Sequence, residues 1–198
     1  MPILTIIRPE IPASGKDDFL AAWPTLSADL QAQPGVLYAI GGQVVGENGK
    51  KVDDFKFTQY IAFNNAEDEE TFVNSAYAQE HKANLKAQGV PEPPVRRFEF
   101  AEFSGNSPKP YLQVTSLTLP DESGRQAARE AWTKVTSALG KETNGGKLLQ
   151  DGTFTGIATI GWDSPEEVEK AYKDPKVVEA FEAYKSLGDV RSNLVKLL

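Results

Sequence analysis

The sequence predicts an α+β fold made of two β-α-β-β-α-β units in one chain. Three observations carry this: a self-match running through the 198 residues, an apolar stripe at helical spacing, and strand-type runs bounded by Gly, Pro and Asn. Ile61-Ala62-Phe63-Asn64-Asn65-Ala66-Glu67 aligns with Ile160-Gly161-Trp162-Asp163-Ser164-Pro165-Glu166 at a constant offset of 99 residues, and the register holds to Gly89 and Gly188. Gly15 to Trp23 aligns with Gly124 to Trp132 at an offset of 109, which places Ile3 on Leu112. The difference of ten falls in a polar hairpin tip, Gly46 to Lys51, where the second copy needs only the tight turn Asp151-Gly152.

Ile3 to Ile7 reads as a strand. From Lys16 to Gln33, Phe19, Trp23, Leu26 and Leu30 recur at i, i+4, i+7 and i+11 and form one helical face, which Pro34-Gly35 ends. Val36 to Val45 and Phe55 to Phe63 read as strands joined through Asn48-Gly49. A second helix starts near Asn65 and runs to about Gln88. Asn65 and Ser164 share a repeat position as N-caps, and Ser164-Pro165-Glu166-Glu167 adds proline at the first helical position and a capping-box glutamate. The acid runs Glu67-Asp68-Glu69-Glu70 and Glu166-Glu167 suit a first helical turn, where negative charge meets the positive end of the helix dipole. Val90 to Pro94 turns the chain, and Arg97 to Phe103 alternates as a closing strand. Ser104 to Pro110 reads as a linker between units 1–105 and 108–198, and Val190 to Leu198 closes the second unit.

A split β-α-β unit makes a four-stranded antiparallel sheet with both helices on one face, so its other face needs a cover. Two such sheets placed face to face bury each other. The fused pair then supplies its own partner. The expected state is a monomer with an internal pseudo-dimer, and an exposed fourth strand is where a further homodimer would form.

Composition narrows the chemistry. Cysteine is absent and His81 is the one histidine, which leaves no thiolate nucleophile and no multi-histidine metal site. A net charge of −7 with scattered lysines makes nucleic acid an unexpected partner. No apolar run approaches the ~18 residues of a membrane helix, and the expected compartment is the cytoplasm. Walker and dinucleotide fingerprints are missing, since Gly41-Gly42 and Gly145-Gly146 lack their context.

The strand end at Phe63 or Trp162, the polar pair Asn64-Asn65 or Asp163-Ser164, and the helix Ser75-Ala76-Tyr77-Ala78-Gln79-Glu80-His81, which reads Asp174-Pro175-Lys176-Val177-Val178-Glu179-Ala180 in the second copy, carry a resemblance. The chain resembles the dimeric α+β barrel (ferredoxin-like) superfamily, and within it the antibiotic-biosynthesis-monooxygenase-like and stress-responsive barrel groups. The resemblance implies a small-molecule-binding barrel acting as a cofactor-independent oxygenase or cyclase on an aromatic or polyketide-like compound. The alternatives it leaves open are a non-catalytic stress-responsive barrel and a haem-binding protein using His81. The haem-degrading members also use a tryptophan one turn before the Ser75 position, where this chain has Thr71, and an asparagine on the first strand, which is absent from Ile3 to Ile7.

In the oxygenase reading His81 is the base, because its unperturbed pKa lies near neutrality. Asn64 and Tyr60 stabilise the anion, Trp23 and Tyr38 wall the pocket, and Arg8 holds a carboxylate or enolate. Each has a structural alternative: His81 as a solvated helix residue, Trp23 as core, Asn64 beside the cap Asn65, Tyr38 and Tyr60 on a half-exposed strand face, Arg8 as surface charge. Pro2, exposed by methionine removal, is a weaker candidate base of the tautomerase kind.

Overall fold

The computed structural model describes residues 1–103, 109–150 and 152–198. Ser104 to Pro108 of the expected linker and Asp151 of the expected tight turn lie outside the described residues. In chain order the elements are β1 (Ile3–Ile7), α1 (Lys16–Gln31), β2 (Val36–Glu47), β3 (Lys50–Lys51), β4 (Phe57–Phe63), α2 (Ala66–Val73), α3 (Ala76–Ala87) and β5 (Val95–Phe100). They continue as β6 (Tyr111–Leu119), α4 (Arg125–Leu139), β7 (Asn144–Leu148), β8 (Phe154–Trp162), α5 (Pro165–Ala171), α6 (Pro175–Lys185) and β9 (Asp189–Leu197).

The strands run β2-β4-β1-β5-β7-β8-β6-β9, and β9 pairs back onto β2 to close an eight-stranded antiparallel barrel; β3 is a two-residue extension beside β2. The four strands of each half keep the spatial order expected of a split β-α-β unit. The two sheets expected to face each other also join edge to edge on both sides, which makes the α+β barrel a closed one. The fourth strand expected to be exposed is not: β5 pairs with β1 and β7, and β9 pairs with β6 and β2. Closure satisfies backbone groups that an open sheet would leave unpaired.

The two seams differ, and the hairpin insertion explains why. Asn48 (φ 50) and Gly49 (φ 77) form the left-handed tip that a two-residue hairpin needs, so β2 extends to Glu47. This extension pairs Gly42 to Glu47 with Leu197 to Asn193, and the Asn48 amide donates to the Ser192 carbonyl at 2.7 Å. The other seam pairs only Phe98 to Phe100 with Leu148 to Gly146. The polar tip is therefore a closure strand.

Period-two alternation divides the side chains. Leu4, Ile6, Tyr60, Ala62, Phe98 and Phe100 meet Val114, Ile157 and Val195 of the second half in the barrel lumen. The outward residues Ile3, Ala39, Ile61 and Phe63 pack with Leu30 of α1, Phe72 of α2 and Tyr77 of α3; Leu117 and Leu119 pack with Val135 of α4 and Tyr184 of α6. These faces correct one repeat register. Ile3 faces the helices and Leu112 faces the lumen, so the structural counterpart of Ile3 is Tyr111, which pairs with Trp162 as Ile3 pairs with Phe63.

The second helix of each half is broken in two. Ser75 and Asp174 cap α3 and α6 by accepting from Ala78 N and Lys176 N, and Pro175 opens α6. The caps expected at Asn65 and Ser164 accept from Asp68 N at 2.9 Å and Glu167 N at 3.2 Å. The closing strand of the first half is also shifted, ending at Phe100, so that Phe103 turns inward against Phe100 and Tyr38.

Gly42 stands where β2 meets β9, and a Cβ there would overlap the Lys196 carbonyl oxygen. Gly42→Ala should destabilise the protein by about 3 kcal/mol by spreading the long seam, whereas Gly145→Ala, whose Cβ would meet only the Ile157 carbonyl oxygen at an ordinary 3.7 Å, should change stability by less than about 1 kcal/mol. Urea unfolding of both variants checks this.

Candidate functional site

Leu37 is a bulge in β2, so the register slips between Val36 and Tyr38. Val36 faces the helices, whereas Tyr38 faces the lumen. Gln31 of α1 fixes the bulge, accepting from Ala39 N at 2.8 Å and donating to Leu37 O at 3.0 Å. On β4, Thr58, Tyr60 and Ala62 share the inward face by alternation, and Tyr60 pairs with Ile6 of β1 and Ile40 of β2.

At the barrel end where β1 and β2 finish and β4 and β5 begin lies a cavity of about 630 Å³. Arg8, Val44, Phe55, Phe57 and Thr58 line it, together with the loops at Pro9–Pro12 and Gly89–Pro94. The prolines restrict these loops at φ near −65°. Most of the lining is apolar; its polar groups include Arg8, Glu10, Thr58 and the Lys56–Glu47 ion pair at 2.7 Å.

The inner end of this cavity is unusual in its polar accounting. Thr58 is 1% exposed, and its Oγ1 has no partner of hydrogen-bond geometry. Tyr60, one inward position deeper and 2% exposed, has its phenol near that hydroxyl. Burial pushes the Tyr60 phenol well above the ordinary tyrosine range; the Arg8 cation and the Thr58 hydroxyl oppose this only in part, and Tyr38 adds to it. At neutral pH Tyr60 is therefore a proton-bearing donor. Burial likewise raises Tyr38, whose ring packs edge-on against Phe103 at 5.4 Å.

The structure brings Arg8, Tyr60 and Tyr38 into one electrostatic neighbourhood on the inward side of the first half. Trp23 lies on the helix side: it is buried against Phe57, a cavity-lining residue, at 4.7 Å, and its Nε1 has no partner. Asn64 is exposed at the opposite end of β4 and donates to Asp68 Oδ2 at 2.7 Å. His81 is exposed on α3, a helix with no buried residue, and does not line the cavity. That setting offers no apolar slot for a haem at His81. The sequence reading passed over the Phe55–Phe57 wall and the flanking Pro-rich loops; the pairing of Arg8 with the start of β5 through Pro94 O at 3.4 Å is a tertiary contact with no local signal.

A second polar centre lies under α2. Glu69 is 3% exposed, accepts from Thr5 Oγ1 at 2.6 Å and receives a forked ion pair from Arg97. Glu67, Asp68 and Glu69 occupy the first turn as expected, Glu70 lies beyond it, and Glu69 turns inward and ties the helix to β1 and β5. The second half fills a comparable position with Gln113, which accepts from Trp162 Nε1 at 2.9 Å and donates to Tyr172 and Ser192. Burial, offset by the Gln113 hydrogen bond, leaves the Tyr172 phenol pushed up to about 12. Both centres are satisfied and neither opens to a cavity, which makes them braces.

No protein-family model and no curated protein matches the chain. Solved structures do match. A candidate monooxygenase from Fusobacterium nucleatum aligns at a TM-score of 0.72 and 8% identity over 100% of this chain and 92% of that one. An anthrone oxidase-like protein aligns at 0.69 and 16%, covering 100% and 91%. A candidate monooxygenase from Lactobacillus acidophilus aligns at 0.68 and 14%, covering 99% and 93%. At these identities the likeness speaks for the fold, and the chain has the α+β-barrel architecture these monooxygenase-type structures share.

Removing one partner of the Glu69–Arg97 pair leaves a carboxylate with little access to water. Arg97 is itself half-exposed, so Arg97→Ala should cost about 2 kcal/mol, less than for a fully buried pair. Thermal unfolding should show the loss, while Lys147→Ala, which breaks an ion pair with Glu99 from an exposed lysine, should cost under about 0.5 kcal/mol.

Proposed function

We propose that the protein is an oxygenase-type enzyme that binds an aromatic or polyketide-like small molecule in the barrel-end cavity and needs no cofactor. The observation that carries this is an unpartnered Thr58 hydroxyl in the wall of a largely apolar cavity, with the buried, protonated Tyr60 phenol one inward position behind it and the Arg8 cation at the rim. Such an arrangement suits an oxyanion, since the donors are already in place and Thr58 and Tyr60 are shielded from bulk water. The fold likeness to monooxygenase-type structures supports the same class of chemistry.

In this reading the substrate carries an acidic methylene or phenol. Arg8 favours its ionisation through charge, Tyr60 and Thr58 donate to the oxygen that gains negative charge, and Glu10 on the cavity wall receives the proton. The resulting carbanion reacts with dioxygen to form a C–O bond; protonation gives a hydroperoxide, and loss of water leaves a carbonyl. The net change is one methylene and one dioxygen to one carbonyl and one water. His81, Asn64 and Trp23 take no step in this scheme, because the first two are exposed away from the cavity and Trp23 stands behind Phe57. We further propose that the chain is a tandem duplication with units 1–105 and 108–198. The matched strand order of its halves and the two seams joining them support this, and each half then gives the other the edge partner a second chain would otherwise supply.

Oxygen uptake by the purified protein with anthrone and related aromatic methylene compounds tests the reading. Tyr60→Phe should lower kcat/KM by at least about tenfold with the melting temperature nearly unchanged, because it removes one donor and little volume. Absence of uptake across the panel, or full activity in Tyr60→Phe, overturns it.

A further inference from the structure

The same barrel end gathers three arginines, Arg8 just past the end of β1, Arg96 on β5 and Arg191 on β9, the last from the second half of the chain. Arg96 is the antiparallel partner of Ile6, a lumen residue, and its guanidinium lies over the lumen ring of Phe98 at 5.2 Å. Arg8 follows Ile6 by two residues and lines the cavity. Arg191 lies on β9, four residues before the lumen residue Val195 and on the same face by alternation. In the closed strand order β5 and β9 stand opposite each other, with three strands between them on either path. Arg96 and Arg191 therefore approach the axis from opposite walls.

The local acids do not neutralise this group. Arg191 pairs with Asp189 at 3.1 Å, and Lys56 pairs with Glu47 at 2.7 Å. Arg8 and Arg96 make no ion pair among the described residues, and Glu10 is the one further carboxylate in the cavity wall. Burial, then Arg8, then Arg191 pull the Arg96 pKa down, so Arg96 lies within electrostatic reach of both other guanidinium groups. Like charges gathered with only Arg191 ion-paired are unfavourable, and an arginine stays protonated despite it. An anion held between them relieves the repulsion through forked hydrogen bonds.

Resting on the cavity reading above, we infer that Arg8, Arg96 and Arg191 form a receptor for a carboxylate on the ligand, so that the substrate class is an aromatic carboxylic acid bound at a site shared by both halves of the chain. The apolar walls from Val44, Phe55 and Phe57 take the ring system, and the arginine group takes the acid. Arg96 and Arg191 act as specificity-determining residues in this arrangement. Arg191 is largely exposed, so its contribution is the smallest of the three.

Binding of 2-naphthoate and anthraquinone-2-carboxylate, each compared with its methyl ester by isothermal titration calorimetry on the full chain, tests the inference. The acids should bind at least about tenfold more tightly than the esters, and their affinity should fall between about 50 and about 500 mM NaCl. Arg96→Met, which keeps an apolar stem over Phe98, and Arg8→Met at the exposed rim should each weaken the acids by about tenfold and leave the esters within about twofold. Arg191→Gln should weaken the acids by about threefold. Equal binding of acid and ester, or acid binding unaffected in Arg8→Met and Arg96→Met, overturns the carboxylate receptor and leaves the cavity as a ligand site. Failure of both acids and both esters to bind overturns the receptor and the cavity reading together.

Discussion

Pairing of sheet edges is the constraint on which the rest of this molecule depends. A four-stranded antiparallel sheet with helices on one face presents two raw edges and one bare apolar face, and neither is stable in water. Closing the two halves into one barrel answers both problems at once. The edges become the β2–β9 and β5–β7 seams, and the bare faces become a shared lumen in which Phe98 and Phe100 meet Val114, Ile157 and Val195. Neither half has a complete interior alone.

The inequality of the seams sets where an opening can form. The β2–β9 seam is long because the hairpin carries β2 on to Glu47, and the turn at Asn48 also binds Ser192 through the Asn48 side chain at 2.9 Å. That same extension carries Val44 and Glu47 to the cavity wall and brings β9, with Arg191, alongside. One insertion thus closes the barrel and brings the two halves together at the mouth. Helix packing follows from the outward faces: Leu30 and Val135 are buried from opposite halves, and Glu69 with Arg97 and Gln113 with Trp162 brace the same region by different polar means.

At the mouth, two opposing effects act on the same few groups. Burial holds Tyr60 in its protonated form, while Arg8 pulls toward ionisation. Desolvation wins for the tyrosine because its ring is enclosed by the core, whereas Arg8 keeps access to water and so exerts a screened field. A donor tyrosine beside a cation is therefore a stable resting state of this barrel end.

Much of the architecture was legible in the residues. The strand-type runs from Ile3 to Ile7 and from Phe55 to Phe63, the stripe from Phe19 to Leu30, and the caps at Asn65 and Ser164 are local patterns whose meaning does not depend on what lies opposite. The helix breaks at Ser75 and Asp174 were also written locally, in a capping residue at each and in Pro175 after the second, but long helical spacing masked them. Of the candidate site, Tyr38, Tyr60 and Arg8 were visible as polar side chains on strands, and the structure brings these three together; His81 and Asn64 were chosen by residue type and stand exposed elsewhere. What the sequence alone determined was the element order with its local caps and turns, because each depends on neighbours within a few positions. Only the tertiary structure decided the bulge at Leu37, the slipped counterpart of Ile3, the partner of Glu69 and the meeting of Arg8, Arg96 and Arg191, because these depend on register between strands far apart in the chain, and a shift of one residue turns every side chain to the other face.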